Sequence, residues 1–453
     1  MTYYGWSLDA QYAEQIARTR ALEQARALVG TSLPESAALA ALLAELGAVG
    51  GPTAIVNVRH PTYGATGNGS TDDTTALQAA LTAGATLGLP VYFPPGTYKH
   101  TVRLDWPAGT IAYGAGWKRT ILRYDTPSTG TSGHRSVDAT SGPDGYYRIS
   151  GMLFQCGIKL GNTSAFNLTS SAPYSVFRDC RFINWTKYGL NFQSSWGSVV
   201  EGCSFDSING IASSGDIGTA VIATTDCNQL TLRGNTVIRC DRGFQVEDAY
   251  GVTIDGQNGF ERIGYKYNDS SVEIENSELA AYHGIVVDGI KGLSIIGNYF
   301  EAVRLGNGID ASGLRGYAIC NNSFTGDEPG SYGTDTVMDK AIAVDDCRAG
   351  TIASNYVLEY VTNWLTGTNM ATGASSVILG LDTNEVVDGG VVKVPSTTAS
   401  GVSGAVWQGA AKVLGTQGAA VADASGGATV DAEARTALNA LLARLRTHGV
   451  IAT

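Results

Sequence analysis

The chain has 453 residues, a formal net charge of −11, 43% hydrophobic and 16% charged residues. So acidic a balance argues against nucleic acid or an anionic membrane surface as partner. No run of about 18 apolar residues is present, so no membrane insertion is expected. Seven cysteines are an odd number, and Cys180, Cys203 and Cys320 fall inside the repeat described below, so reduced core thiols are expected rather than a disulfide framework. Met1 to Leu8 has no basic stretch and no apolar run follows, so synthesis in the cytoplasm without a signal peptide is the expectation.

In chain order, residues 9–29 read as a helix with Asp9 as its cap, and residues 35–46, after Pro34, as a second with Leu39, Leu42, Leu43 and Leu46 at helical spacing. Their apolar faces are narrow and neither builds a globular domain alone. Residues 1–50 are therefore expected to pack on another protein or on copies of themselves, or else to form a helical cap. Gly47 to Gly51 is a hinge.

Next comes a Gly-rich loop, Gly64 to Gly69, followed by Asp72 or Asp73 as the cap of a helix running to about Ala83. Val91-Tyr92-Phe93 is a buried strand stopped by Pro94-Pro95-Gly96. This stretch resembles the entry segment of the pectate-lyase-like superfamily seen in bacteriophage tailspikes, matching at Gly67, Gly69, Asp72, Asp73, Thr74, Ala76, Gln78, Phe93, Pro94, Pro95, Gly96 and Tyr98. It departs at Asn68, where the family usually carries Asp. The resemblance implies a structural role, capping one end of a right-handed parallel β-helix.

The first turns of that coil are expected from Thr110 to Leu122, Thr126 to Gly145 as a lateral loop, and Tyr147 to Phe154 as its resumption. From Ser175 to Val386 one phrase recurs: apolar, any, apolar, several small or polar residues, then Phe, Val or Leu. Its clearest copies are Leu230-Thr-Leu232 to Val237, Val252-Thr-Ile254 to Phe260, Val272-Glu-Ile274 to Leu279, Leu293-Ser-Ile295 to Phe300 and Tyr317-Ala-Ile319 to Phe324. The closing residues lie 19 to 33 positions apart, the period of a solenoid. Alternation of period 2 makes these strands. Second strands such as Gly243-Phe-Gln-Val and Gly284-Ile-Val-Val precede most copies. Two positions before each closing residue stand Cys180, Cys203, Asn235, Asn258, Ser277, Asn298, Asn322 and Asn355, a ladder suited to left-handed bends. The fold class expected is an all-β solenoid, a parallel β-helix over residues 51–394.

After Pro395 the composition turns to Ala, Gly, Ser and Val. Ala434, Leu438, Leu441 and Leu445 then step by 4, 3 and 4, a coiled-coil seam ended by Gly449. Residues 405–453 resemble the ending of many phage tail fibre and spike proteins, which implies that 395–453 is a segment that fixes a homotrimer. A monomeric helix folded over the last turn would use the same stripe.

Stacking turns about 4.8 Å apart converts alignment into distance. One outward row is expected to hold Gln193, Thr225, Glu247, Tyr267, Asp288, Ser312 and Asp345, with Glu247 and Asp288 two turns apart at about 9–10 Å, an inverting-glycosidase separation. Asp248 and Asp310 are close enough to substitute. Glu261 and Glu301 form a second pair two turns apart, and Asp255 with Glu275 a third on adjacent turns. Outward carboxylates on a solenoid also serve as plain solvating residues. Trp185, Trp196, Tyr188, Tyr250, Tyr282 and Trp364 are aromatic residues able to stack on sugar rings or to pack between coils. The five histidines show no metal spacing, and no metal or cofactor is expected. The loop at Gly64–Gly69 precedes Asp-Asp rather than Lys, so it does not hold phosphate.

Together the resemblance and the pattern imply a trimeric tailspike of the virion. Residues 1–50 would dock on other tail proteins and the coil would bind, and as a depolymerase hydrolyse, a host surface polysaccharide. A non-enzymatic receptor-binding spike and a free polysaccharide lyase are the alternatives. Neither host nor sugar is named by the sequence.

Overall fold

The computed structural model describes residues 55–125, 132–137, 145–158, 163–168, 172–210, 217–264, 266–267, 273–274, 282–304, 306–326, 338–358, 361–368, 377–379, 406–408, 411–413 and 438–443. The expected helices at 9–29 and 35–46 and the closing residue Val386 lie outside them. Within them, each turn of the chain gives one short strand to each of three parallel sheets of 12, 11 and 10 strands. One turn is Thr231–Arg233, Thr236–Ile238 and Arg242–Glu247. The next is Thr253–Asp255, Gly259–Ile263 and Ile285–Asp288. This is the expected parallel β-helix.

Strands of three residues have no stability alone. Here each is hydrogen-bonded on both sides and places its central side chain inside. Phe154, Phe182 and Phe205 stack at 5.0 Å between ring centroids, and Phe260, Phe300 and Phe324 at 4.7 Å. Each buried ring contributes about 1.5–3 kcal/mol by leaving water, and each stacked pair about 0.5–1.5 kcal/mol more. Cys180, Cys203, Cys227 and Cys240 are free thiols packed in the same interior, and Cys320 is half-buried. Burial raises the Cys203 thiol well above its ordinary range.

The bend between first and second sheets falls on one recurring residue. Asp179, Gly202, Gly234, Gln257, Gly297, Asn321 and Ser354 all have φ between +52° and +70°. The expected Asn ladder follows one residue later, so its members do not themselves adopt the left-handed backbone. They are buried and bonded to one another. Asn235 Nδ2 donates to Asn258 Oδ1 at 3.0 Å, Asn258 to Asn298 at 2.8 Å, Asn298 to Asn322 at 2.9 Å, and Asn322 to Asn355 at 2.9 Å. A second proton of Asn298 reaches the Ile254 carbonyl at 3.0 Å, and Asn258 and Asn322 reach the corresponding carbonyls of Leu232 and Ile295.

Three expectations about the coil change. The copy expected at Val272 to Leu279 does not add a rung between its neighbours, because Thr253–Ile254 pairs directly with Ser294–Ile295, and its described part, Glu273–Ile274, pairs antiparallel with Lys266–Tyr267. Its alternation suits any strand; only the pairing shows that it leaves the coil. Thr126 to Gly145 is not wholly a loop, since Ser132–Val137 is a strand of the third sheet between Leu104–Pro107 and Ser164–Leu168. Asp73 precedes the helix Thr74–Leu87 but makes no cap bond. Its carboxylate turns back to the amides of Thr66 and Gly67 at 2.7 and 2.9 Å, while Asp72 accepts from Thr74 N at 3.0 Å. The Asp-Asp pair thus splits its work between pinning the loop and starting the helix.

The first turns enclose two imidazoles, His100 and His134, both fully buried with ring centroids 4.9 Å apart. His100 Nδ1 donates to the Val102 carbonyl at 3.0 Å and His134 Nδ1 accepts from the Trp106 indole at 3.2 Å. Neither Nε2 has a hydrogen-bond partner. Burial drives the His100 pKa down to about 4, against opposing pulls from Val102, Asp72 and Asp125. Burial, followed by the charge of His100, also lowers His134.

Two outcomes follow from this architecture. Asn298→Ala leaves buried amide and carbonyl groups of two neighbouring turns unpaired and should cost about 2–4 kcal/mol, read as a lowered urea midpoint at unchanged slope. The unfolded chain protonates His100 at about 6.5 and the folded one only near 4, so stability should decline as pH falls from about 6.5 to 4, by roughly 3 kcal/mol from His100 alone. A urea midpoint that stays flat over that window, or a slope unchanged in His100→Gln, would contradict it.

Candidate functional site on the third sheet

The third sheet alternates cleanly. In Arg242–Glu247, Phe244 and Val246 point inward, while Gln245 and Glu247 stand outside. Because the register is continuous, outward residues form rows along the coil axis. One row runs Glu247, Asp288, Ser312, Asp345. The row beside it runs Gln245, Val286, Asp310, Ala343.

Glu247 and Asp288 are direct neighbours in adjacent strands, not two turns apart, because the segment between them, including Tyr267, is the excursion described above. Their backbones are therefore separated by about 4.8 Å rather than 9–10 Å, so the inverting-glycosidase separation expected from two intervening turns does not apply. Gln193 pairs with Thr224, so Thr224 rather than Thr225 occupies the row. Asp248 follows Glu247 in a left-handed turn with φ +49°, and Asp310 lies in the neighbouring row.

Hydrogen bonds organise these groups. Arg242 donates to the Gln245 side-chain carbonyl, whose amide donates to Glu247 Oε1. The Ser312 hydroxyl donates to Asp288 Oδ1. Asn307 N–H donates to His283 Nδ1 at 3.0 Å, which puts the imidazole proton on Nε2, 3.4 Å from Asp310 Oδ2. Burial pushes His283 down to about 4, outweighing the pull of Asp310, so the ring is neutral near pH 7 and orients the carboxylate as a donor. Burial lowers the Arg242 guanidinium, while Asp310 and Glu247 raise it. Arg242 is thus a half-buried cation shared by two carboxylates. His283 was legible only as one of five scattered histidines, since the sequence does not show which turns adjoin, whereas Arg242 already stands near Glu247 in the sequence.

The other candidates fall elsewhere. Glu261 and Glu301 are also direct neighbours, on the outward face of the second sheet, with Glu301 accepting from the Tyr299 hydroxyl at 2.8 Å. Asp255 belongs to the first sheet and is held by Arg233 at 2.8 and 2.9 Å. Glu275 lies outside the described residues, and the strand paired with that of Asp255 is Lys291–Ile296. Trp185 is fully buried, its indole donating to the Phe154 carbonyl at 3.0 Å, and Tyr282 is also buried, so neither offers a ring to a sugar. Trp196 and Tyr250 are exposed. Among the described residues no three His, Cys, Asp or Glu side chains converge as a metal-binding group.

A family model described as rhamnogalacturonase A/epimerase, pectate lyase-like, matches residues 55–269. The preneck appendage protein of Bacillus phage PZA is 30% identical over 139 residues, covering 29% of this chain; the chain spans only 16% of that relative's length. The tailspike of an Acinetobacter phage superposes at a TM-score of 0.49 with 12% identity, over 73% of this chain and 62% of that one. The surface adhesin PfbA of Streptococcus pneumoniae superposes at 0.46 with 13% identity, over 72% and 100%. Residues 55–269 are thus similar to the pectate-lyase-like family, and the three-sheet coil shows the fold to be a parallel β-helix.

Proposed function

We propose that the chain is a phage tail appendage that binds a host surface polysaccharide along the outward face of its third sheet. The observation that carries this reading is the similarity to a phage preneck appendage protein, 30% identical over 139 residues. The site supports it chemically: Arg242, Gln245, Glu247, His283, Asp288 and Asp310 present converging donors and acceptors on a rigid sheet, the kind of surface that grips hydroxyl-rich chains.

The assembly belongs to the same proposal. Residues 1–50 dock on other tail proteins and residues 395–453 hold a homotrimer, whose three sites add avidity. Leu438 and Leu441 of the expected seam are 47% and 52% exposed in the single chain, as a surface awaiting partners should be.

Hydrolysis is a second reading, favoured by the adjacency of Glu247 and Asp288. In a retaining scheme one carboxyl protonates the leaving oxygen while the other attacks the sugar. Asp310, held by His283, then positions substrate.

Reducing-end release from host capsule or lipopolysaccharide, measured with variants of unchanged trimer mass, tests both parts. If the pair is catalytic, Glu247→Gln and Asp288→Asn should each lower release by about 100-fold or more while binding persists. Release retained in both variants would move the chemistry to Glu261 and Glu301. Binding without release by the wild type would leave a spike that adheres only, and absence of binding would overturn the proposal.

A further inference from the structure

Between the third and first sheets the chain turns a corner of constant form. Successive turns run Glu247-Asp248-Ala249-Tyr250-Gly251, Asp288-Gly289-Ile290-Lys291-Gly292, Ser312-Gly313-Leu314-Arg315-Gly316 and Asp345-Asp346-Cys347-Arg348-Ala349. The second and fifth residues are left-handed in all four, with φ between +43° and +75°. The third residue, Ala249, Ile290, Leu314 or Cys347, is buried. Two left-handed bends around one buried residue leave the fourth outside the coil.

Those fourth residues are stacked. Tyr250 lies opposite Lys291, Lys291 opposite Arg315, and Arg315 opposite Arg348. Backbone bonds carry the row back to Asn228 and Trp196: Gln229 N donates to the Tyr250 carbonyl at 2.6 Å and Gly197 N to the Asn228 carbonyl at 2.8 Å. The result is a ridge of two aromatic rings, one amide and three cations, about 24 Å long at about 4.8 Å per turn. On a chain of net charge −11 this local excess of cations is notable chemistry. Arg315 and Arg348 share one carboxylate, Asp346, at 3.1 and 3.0 Å, which leaves the row positive. Lys291 Nζ sits 4.8 Å from the Tyr250 ring centroid and donates to its hydroxyl at 3.0 Å, and Asn228 Oδ1 accepts from Tyr250 N at 2.8 Å. The ring is thus held before any ligand arrives, which lowers the ordering cost of binding.

We propose that this ridge binds an anionic polysaccharide lying along the coil axis, with sugar rings against Trp196 and Tyr250 and acidic groups against Lys291, Arg315 and Arg348. The assignment rests on the glycan-binding reading above and adds the substrate's charge and direction. Aromatic rings supply faces for apolar sugar surfaces, and a run of cations at fixed spacing selects a chain carrying repeated carboxylate or phosphate groups.

The test is binding of hyaluronate, polygalacturonate and neutral dextran by the full chain at two salt concentrations. The variants are Lys291→Gln/Arg348→Gln and Tyr250→Ala, each checked for an unchanged melting midpoint. The expectation is preference for the two acidic glycans, a loss of about tenfold in the double charge variant with a flatter salt dependence, and a loss in Tyr250→Ala at both salt levels. Equal retention of dextran and the acidic glycans, or acidic-glycan binding unchanged in the double variant, would overturn the ridge and leave glycan binding standing. Failure of the wild type to bind any of the three would count against the glycan-binding reading itself and remove the ridge with it.

Discussion

The buried amide ladder from Asn235 to Asn355 is the constraint on which the rest of the coil depends. Asn235, Asn258, Asn298 and Asn322 each bond both to the ladder residue of the next turn and to a first-sheet carbonyl of the preceding turn, so a turn that slipped by one residue would leave several buried polar groups unpaired. A one-residue slip in a strand of period 2 also exchanges inside for outside. The ladder and the phenylalanine stacks therefore enforce the same register from two sides of the bend. In the turns before Asn235, Cys180 and Cys203 take the same position as small buried groups, with the Cys203 amide bonded to Asn235 Oδ1 at 2.9 Å.

Exact register turns single outward residues into rows, and the three faces use this differently. On the first sheet Arg178 meets Glu201 at 2.7 Å and Arg233 meets Asp255 at 2.8 Å, so opposite charges alternate and neutralise one another. On the second, Asp206 is nearly buried between Arg181 at 2.9 Å and Arg239 at 2.7 Å. On the third, carboxylates of adjacent turns stand together, Glu247 beside Asp288, with no cation interposed in their row. Like charges in one row are unfavourable for the fold, and Glu261 beside Glu301 on the second sheet carries the same cost; the third sheet differs in setting Arg242 and His283 beside its carboxylates.

Excursions from the coil are fastened where they leave it. Asp241, itself buried, accepts the amides of Gly210 and Gly218 at 2.5 and 2.9 Å and so ties the two ends of segment 211–216 to the next turn. The return at Tyr282 brings Ile285–Asp288 directly onto Arg242–Glu247. It is this return that sets Glu247 and Asp288 side by side and brings His283 to Asp310.

The class of fold and much of its interior are legible in the residues alone. Apolar-x-apolar alternation, the recurring Phe and Val, the Asn ladder and the Asp-Asp entry motif are local signals, because each position has the same environment in every turn. Residue spacing also placed Glu247, Asp288, Ser312 and Asp345 in one row. Adjacency, by contrast, exists only in the folded chain. Val272-Glu-Ile274 has the alternation of a strand in the coil, yet it pairs antiparallel outside it, and that single difference halves the distance assigned to Glu247 and Asp288 and to Glu261 and Glu301. Trp185 and Tyr282 read as surface aromatics for the same reason, since burial depends on which segments fold over a residue and not on the residue itself. The ridge from Trp196 to Arg348 joins residues 22 to 41 positions apart; Gly-apolar-cation-Gly recurs at Gly289–Gly292 and Gly313–Gly316, but Trp196, Asn228 and Tyr250 stand outside that pattern. Only left-handed corners repeated turn after turn, with hydrogen bonds between turns, bring them into line.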